Sequence, residues 1–154
     1  MTHRVGFADI VPGARFSSPG RTLTEADHGL FMMLTGDWHP IHADEEYART
    51  TPAGRRLMHG TLGIALAMGM QGGAVEFTDP IVGALALKEW AFRKPLFIGD
   101  TVHVDVEFLA CRVSSGGKRY VVERRLFLMR RDDDVVQDGI AVALLRLPPG
   151  TTPG

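Results

Sequence analysis

The chain of 154 residues is long enough for one domain with a substantial core and too short for two ordinary domains. Its 17 basic and 18 acidic side chains give a formal net charge of −1 and form no basic run interleaved with aromatic residues, which argues against nucleic-acid binding. The single cysteine, Cys111, excludes an intrachain disulfide and a cysteine-rich zinc site, and we predict that it is a small apolar residue on a strand.

The sequence contains no stretch that resembles a membrane span. The most apolar continuous piece, Thr61 to Met70, is far below the roughly 20 residues that a spanning helix needs. The first seven residues lack the apolar core of a secretory signal. We therefore expect a protein of the cytoplasm without a membrane partner.

The first part of the chain carries the signals of a helix, after a short strand predicted around residues 15–18. Thr24 can cap the N-terminus of this helix with its hydroxyl. The acidic residues after it lie in the first turn, where a negative charge interacts favourably with the helix dipole. Gly36 is predicted to end the helix. Its apolar stripe is formed by residues at helical spacing, which are Leu30, Phe31 and Leu34.

Two further helices follow a turn. Pro40 forces the residue before it out of the helical region, so residues 37–42 are predicted to form a turn. A short helix with an acidic start is predicted at residues 44–49, and a polar loop follows it. The third helix, at about Thr61 to Gln71, is apolar nearly all round, which predicts that it is buried. Its glycines suggest that neighbouring backbone approaches it closely.

After the third helix the pattern changes to strands, which are predicted at residues 84–92, 102–108, 120–129 and 135–147. Residues 102–108 alternate strictly between apolar and polar, the period of a half-buried antiparallel strand. An acidic, solvated turn is predicted at residues 132–134. Helices followed by antiparallel strands indicate an α+β domain, here one domain over residues 1–147 in which the sheet packs against the buried helix. Residues 148–154 are predicted to form a disordered tail.

The chemistry concentrates in the turn and at the start of the third helix. Asp37 and His42 lie five residues apart across the proline-stiffened turn, and a carboxylate–imidazole pair can transfer protons. Exposed N–H groups at the N-terminus of the helix that opens at His59-Gly60 can stabilise a developing oxyanion. Taken alone, Asp37 is equally explained as a turn or capping residue.

The motif Gly36-Asp37-x-His39-Pro40-Ile41-His42, followed by His59-Gly60, by Phe92-Arg93-Lys94-Pro95-Leu96 and by Gly99-Asp100, resembles the MaoC-like dehydratases. These are the (R)-specific enoyl-CoA hydratases of the hotdog fold. The resemblance covers about residues 7–147. It implies a sheet wrapped around a central helix, two subunits paired into a homodimer, and no metal or cofactor, since a coenzyme A thioester is the substrate.

The resemblance also implies roles for three residues in a hydro-lyase. Asp37 and His42 hold and activate the water that adds across the double bond of a trans-2-enoyl thioester, or that leaves a 3-hydroxyacyl thioester. The N–H of Gly60 polarises the thioester carbonyl. We assign the deprotonation of water to His42 and the α-carbon proton to Asp37. Coenzyme A and an acyl carrier protein both remain open as the carrier.

Four residues are assigned to substrate binding, which are Trp38, His39, His59 and Met68. His39 replaces an asparagine usual in the family, and Met68 replaces a small hydroxyl residue often found there. These departures predict an acyl group other than a simple straight chain. Trp38 is interpreted as a wall of the site or a packing anchor, and His59 alternatively as a loop residue that fixes the start of the helix.

Other polar residues are candidate metal ligands, surface residues or contacts for the phosphates of coenzyme A. Asp37, His39, His42 and His59 also form a set of possible metal ligands, but the resemblance requires no metal. The remaining histidines are predicted to be surface residues; they are His3, His28 and His103. Four basic residues are candidates for the phosphates of coenzyme A, namely Arg55, Arg56, Arg93 and Lys94.

Two alternative functions stay open. The first is an acyl-CoA thioesterase of the same fold, which would direct water at the carbonyl carbon. The second is a non-catalytic subunit that binds acyl thioesters or pairs with a catalytic partner.

Overall fold

A computed structural model describes residues 1–131 and 134–151 of the chain. The predicted acidic turn at residues 132–134 therefore lies largely outside the described residues. The same holds for the last three residues of the predicted disordered tail, 152–154.

The helices follow the sequence prediction with one addition. Their bounds are α1 Glu25–Thr35, α2 Pro40–Ala43, α3 Glu45–Arg49 and α4 Gly60–Met70. Short 3-10 turns lie at Phe7–Asp9 and Gln71–Gly73. The addition is α2, which was predicted as a turn. Pro40 fits the first position of a helix because its missing N–H would have no partner there, and the side chain of His39 accepts the N–H of Ile41 as a cap.

Helix α1 begins and ends as predicted, but its inward face differs from the predicted stripe. Thr24 caps its N-terminus, and Gly36 ends it in the left-handed region at φ 71°. Leu30 and Leu34 are exposed, whereas Phe31 is partly buried against the core as predicted, and His28 and Met32 are buried. The buried His28 donates a hydrogen bond from α1 to the backbone of α2.

The strands make two sheets. Their bounds are β1 His3–Val5, β2 Arg15–Ser17, β3 Arg21–Thr22, β4 Val75–Phe77, β5 Ile81–Phe92, β6 Thr101–Val113, β7 Arg119–Arg130 and β8 Asp134–Arg146. The main sheet is antiparallel with the order β2-β6-β7-β8-β5, and β3 pairs with β6 beside β2. Strands β1 and β4 form a separate parallel pair. The sequence did not predict β1, β3 and β4, since two or three residues show no periodic pattern, although the equally short β2 was predicted.

Helix α4 packs against one face of the main sheet. Leu62, Leu66 and Ala67 of α4 join a buried cluster with alternate residues of β6 and β7, such as Val104 and Leu126. Cys111 lies half-buried on β6 against the same cluster, as predicted. The predicted α+β arrangement, an antiparallel sheet around a buried helix, is confirmed. None of the helices in the described part of the chain is long and apolar enough to cross a membrane.

The start of α4 is attached to the sheet through one buried side chain. The amide nitrogen of Gln137 on β8 donates to the carbonyl of Gly60 at 3.0 Å, and its oxygen accepts the indole N–H of Trp90 at 3.1 Å. Gly63 lies so close that a Cβ there would be 2.2 Å from the nitrogen of Gln137. This contact fixes where α4 begins relative to β5 and β8.

Candidate active site

The structure brings Asp37 and His42 together at one end of α4. Asp37 lies in the loop between α1 and α2, and His42 lies on α2. Oδ2 of Asp37 is 3.9 Å from Nε2 of His42, with the carboxylate half exposed and the imidazole mostly covered. This separation is longer than a hydrogen bond, but it allows both atoms to contact one small group between them.

The tautomer of His42 follows from its second hydrogen bond. Its Nδ1 lies 2.6 Å from the carbonyl oxygen of Leu57. A carbonyl oxygen can only accept, so Nδ1 carries the proton and Nε2 of the neutral ring is an acceptor. The Nε2 atom that faces Asp37 is thus the one that can take a proton.

His59 contacts both members of this pair and is buried beneath them. Its Nε2 donates to the backbone oxygen of Asp37 at 3.1 Å and lies 3.5 Å from the carboxylate oxygen Oδ2. Its ring stacks on that of His42, with 3.7 Å between centroids and 25° between planes. His59 was predicted to bind substrate or to fix the start of the helix. Its contacts with Asp37 and His42 were not predicted, because they depend on packing between segments distant in sequence.

His28 is a second buried histidine under the site, and its prediction as a surface residue was wrong. Its side chain is fully buried, and its Nε2 donates to the backbone oxygen of His42 at 2.8 Å. Its ring centroid lies 5.5 Å from that of His59. The residue is inside because it joins α1 to α2 at the base of the site.

Gly60 offers a free N–H at the N-terminus of α4. No described residue accepts this N–H, while the carbonyl of Gly60 is bound by Gln137. A Cβ at Gly60 would lie 2.9 Å from the ring of Phe92, so a larger residue there would push that exposed ring aside. A cavity of about 270 Å³ is lined by Asp37, His42, His59, Gly60, Thr61 and Phe92. The three predicted catalytic residues therefore border one cavity.

The other residues assigned to substrate binding lie further away. Trp38 is largely exposed and does not line this cavity. Nδ1 of His39 accepts the N–H of Ile41, so this imidazole caps α2, and its centroid is 6.5 Å from that of His42. Met68 lies two turns along α4 and lines a different cavity with Gln71.

Three side chains could be considered as metal ligands by distance alone. The donor atoms of Asp37, His42 and His59 all lie within 4.8 Å of one another. A metal lies in the plane of each imidazole that binds it, at about 2 Å from the nitrogen. The stacked rings of His42 and His59 have nearly parallel planes, which meet well beyond that distance. The arrangement does not suit a shared metal, and His39 is not part of the group.

The basic residues near the site divide into two groups. Arg93 and Lys94 line a cavity of about 340 Å³ that also contacts His42 and Gly60. They pair with Asp138 and Asp134, respectively. Arg55 and Arg56 line a different cavity, where Arg56 forms ion pairs with acidic residues of α1 and α3 and Arg55 stacks on Phe97. Arg93 and Lys94 are thus the two that border the site.

Comparison with known structures identifies the fold. A monoamine oxidase regulatory protein from Archaeoglobus fulgidus matches 97% of this chain and 99% of its own, with 28% identity and a TM-score of 0.85. A protein of Mycobacterium tuberculosis described as a double hotdog fold matches 96% of this chain and 46% of its own, with 24% identity and a TM-score of 0.82. The chain has the hotdog fold.

Sequence comparison identifies the family. A family model described as the MaoC like domain matches residues 9–126. An (R)-specific enoyl-CoA hydratase of Rhodospirillum rubrum is 35% identical over 65% of this chain and 67% of its own length. A 3-hydroxybutyryl-CoA dehydratase of Methylorubrum extorquens is 31% identical over 83% of this chain and 75% of its own. The protein MaoC of Klebsiella aerogenes is 34% identical over 64% of this chain, which spans only 29% of it. The chain belongs to the MaoC-like domain family of hydratases and dehydratases.

Proposed function

We propose that the chain is a hydro-lyase that adds water to a trans-2-enoyl thioester, or removes it from a 3-hydroxyacyl thioester of (R) configuration. The observation that carries this proposal is the meeting of three groups at one cavity: the carboxylate of Asp37, the Nε2 atom of His42 and the free N–H of Gly60. The names of relatives as hydratases and dehydratases support the same reaction.

The three groups match the needs of the reaction. In hydration, Nε2 of His42 takes a proton from water as its oxygen bonds to the β-carbon. The electron pair of the double bond moves toward the thioester, and the N–H of Gly60 stabilises the enolate oxygen. The proton that His42 takes from water passes by way of the Asp37 carboxylate, 3.9 Å away, to the α-carbon. Water thus supplies both the hydroxyl and the hydrogen, and both side chains return to their starting forms.

The carrier of the acyl group is proposed to be coenzyme A or an acyl carrier protein. Both carry phosphate on a flexible arm, and Arg93 and Lys94 border the cavity beside Gly60. Charged hydrogen bonds from these side chains suit a phosphate. No resident cofactor is part of the proposal, and residence in the cytoplasm stays a prediction.

We propose that two copies of the chain associate through β5. This strand ends the order of the main sheet, and its outer edge has no strand partner among the described residues. It exposes large apolar side chains, namely Ile81, Val82, Leu85, Leu87 and Phe92. An edge of this length and apolarity invites pairing with another strand, and a second copy supplies an identical edge.

The test is the loss of enoyl-thioester ultraviolet absorbance over a panel of acyl-CoAs. We expect turnover by the wild type and a fall in kcat/KM of roughly a hundredfold or more in Asp37→Asn and in His42→Ala, the scale of acid–base catalysis. His103→Ala, a histidine on β6 outside the site, is the matched control and should keep full activity.

Two outcomes would contradict the proposal. Release of free thiol without loss of the conjugated absorbance would indicate a thioesterase. A folded protein that is silent on every substrate, including acyl carrier protein thioesters, would indicate a non-catalytic subunit.

A further inference from the structure

Arg124 occupies a position in β7 where the alternation of the strand calls for an apolar residue. The neighbours that face α4 on the same strand are fully buried: Tyr120, Val122, Leu126 and Leu128. Arg124 lies in the middle of this row and is only 5% exposed. A buried charge is costly unless it is compensated, so its presence in the core requires an explanation.

The contacts of Arg124 with the described residues leave its charge without an acidic partner. Nε donates to Oε1 of Gln71 at 2.8 Å, and one terminal nitrogen reaches the carbonyl of Ala141 at 3.5 Å. The guanidinium also lies 5.5 Å from the ring centroid of Phe77. Burial lowers the pKa of Arg124 to about 10, so the side chain is still charged near neutral pH.

This guanidinium borders a cavity of about 330 Å³, within the size range of ligand sites. The cavity is lined mainly by apolar groups, with Gln71 and Arg124 as polar groups on its inner side. One carboxylate also lines it, that of Glu76, which is exposed and pairs with Arg4 at 3.9 Å. A carboxylate ligand would give the buried guanidinium the partner that the described residues do not provide.

Helix α4 connects this cavity to the proposed active site. Gly60, Ile64, Met68 and Gln71 are spaced by four, four and three residues, which places them on one face of the helix. Gly60 borders the first cavity, while Met68 and Gln71 line the second. Ile64 and Met68 are only partly buried, as the floor of a groove would be. From Gly60 to Met68 the helix rises roughly 12 Å.

We propose that Arg124 binds a carboxylate at the far end of the acyl group, so that the substrate is the thioester of a dicarboxylic acid. The proposal rests on the proposed function. The thioester carbonyl would lie at Gly60, the chain would follow the face of α4, and the terminal carboxylate would accept two N–H groups of the guanidinium. Gln71 orients that fork by accepting from Nε.

The first experiment compares matched pairs of trans-2-enoyl-CoAs that end in a methyl group or in a carboxylate, at chain lengths of about four to ten carbons. At the best length we expect the wild type to favour the carboxylate by at least about tenfold in kcat/KM. Arg124→Met should abolish or reverse that preference. Arg119→Met, an exposed arginine on the same strand, should keep it.

A second variant and a binding measurement keep the test decisive. Arg124→Lys keeps the charge but not the fork, and it should show a reduced preference even if Arg124→Met does not fold. Calorimetry with saturated acyl-CoAs that cannot be hydrated measures the same preference without catalysis. Carboxylate-selective binding that is lost in the Arg124 variants, without hydration of any thioester, would remove the proposed function and keep this inference.

Two results would overturn the inference. Hydration with no preference for a carboxylate at any length would leave the hydro-lyase and remove the role of Arg124. Binding of free glutarate that depends on Arg124, together with no discrimination among the thioesters, would assign the cavity to a free anion instead of the acyl group.

Discussion

The buried histidines beneath the site organise the residues that are proposed to react. His59 donates to the backbone of Asp37 and stacks on His42, and His42 is held from the other side by the carbonyl of Leu57. His28 holds the backbone of His42. The mutual position of Asp37 and His42 therefore depends on hydrogen bonds and ring contacts from two buried histidines and from the carbonyl of Leu57.

We expect His59→Phe to keep the ring stack but lose the hydrogen bond to the loop of Asp37. Because small displacements of reacting groups are costly, kcat should fall roughly tenfold to a hundredfold while KM changes little. Steady-state kinetics measures this division, and His3→Phe, an exposed histidine, is the control. Partial recovery of kcat in His59→Gln, which restores a donor, is also expected. A loss confined to KM or to folding would contradict a positioning role.

For individual side chains, the sequence predicted positions only where the residues concerned lie close together in the chain. Asp37 and His42 could be paired from their spacing, because a proline turn of five residues allows few conformations. The buried places of His28, His59 and Arg124 could not be predicted, because each depends on segments that are distant in sequence. Arg124 did carry a signal, since a charged residue interrupts the apolar alternation of its strand.

Among the elements, α4 and β8 depend on one contact between a glycine and a glutamine. Gln137 is almost fully buried and binds both Gly60 and Trp90, so its side chain has little freedom to move away from Gly63. The contact explains why a helix in the centre of the molecule contains a residue with low helix propensity.

Gly63→Ala should destabilise the protein by about 1–3 kcal/mol, the usual cost of overpacking, since the new Cβ would collide with Gln137. The matched control is Gly69→Ala in the same helix, where nothing lies within 4 Å of the new atom. That change should raise the free energy of unfolding by up to about 1 kcal/mol. Urea unfolding of the two variants measures the difference, and equal effects would show that the contact with Gln137 is unimportant.

The long elements were predictable, whereas among the short ones only β2 and α3 were predicted. The all-round apolarity of α4 gave both of its ends to within one residue. The alternation of residues 102–108 gave the start of β6, but the strand continues five residues further, to Val113. The stripe of α1 was right for Phe31, which packs against the core, and wrong for Leu30 and Leu34, which are exposed. The buried position of His28 was missed because its side chain is polar and yet faces inward to bond α2. The register shifts of β5, and the positive φ of 53° at Glu89 within one of them, could not be predicted because they produce no periodic pattern in the sequence.

At the scale of the whole molecule, the apolar edge of β5 is proposed to be the contact between two copies. We expect the wild type to be a dimer and the double variant Leu85→Lys/Leu87→Lys to be a folded monomer, because two charges on each edge would face their counterparts. Light scattering after gel filtration measures the mass. Val11→Lys, an equally exposed apolar site outside β5, is the control and should remain a dimer. A monomeric wild type would contradict the proposal.

The hydrogen bonds of Gln137 connect β5 to the N-terminus of α4. Trp90 belongs to β5, Gln137 joins it to the carbonyl of Gly60, and the N–H of the same glycine is the proposed oxyanion donor. A displacement of β5 would therefore move Trp90 and Gln137 and, through their two hydrogen bonds, the N–H of Gly60 that is proposed to stabilise the enolate. Subunit association and substrate binding at each catalytic centre are therefore expected to be thermodynamically linked. Bound substrate should then raise the affinity between subunits, and dilution to monomers should lower the affinity for substrate.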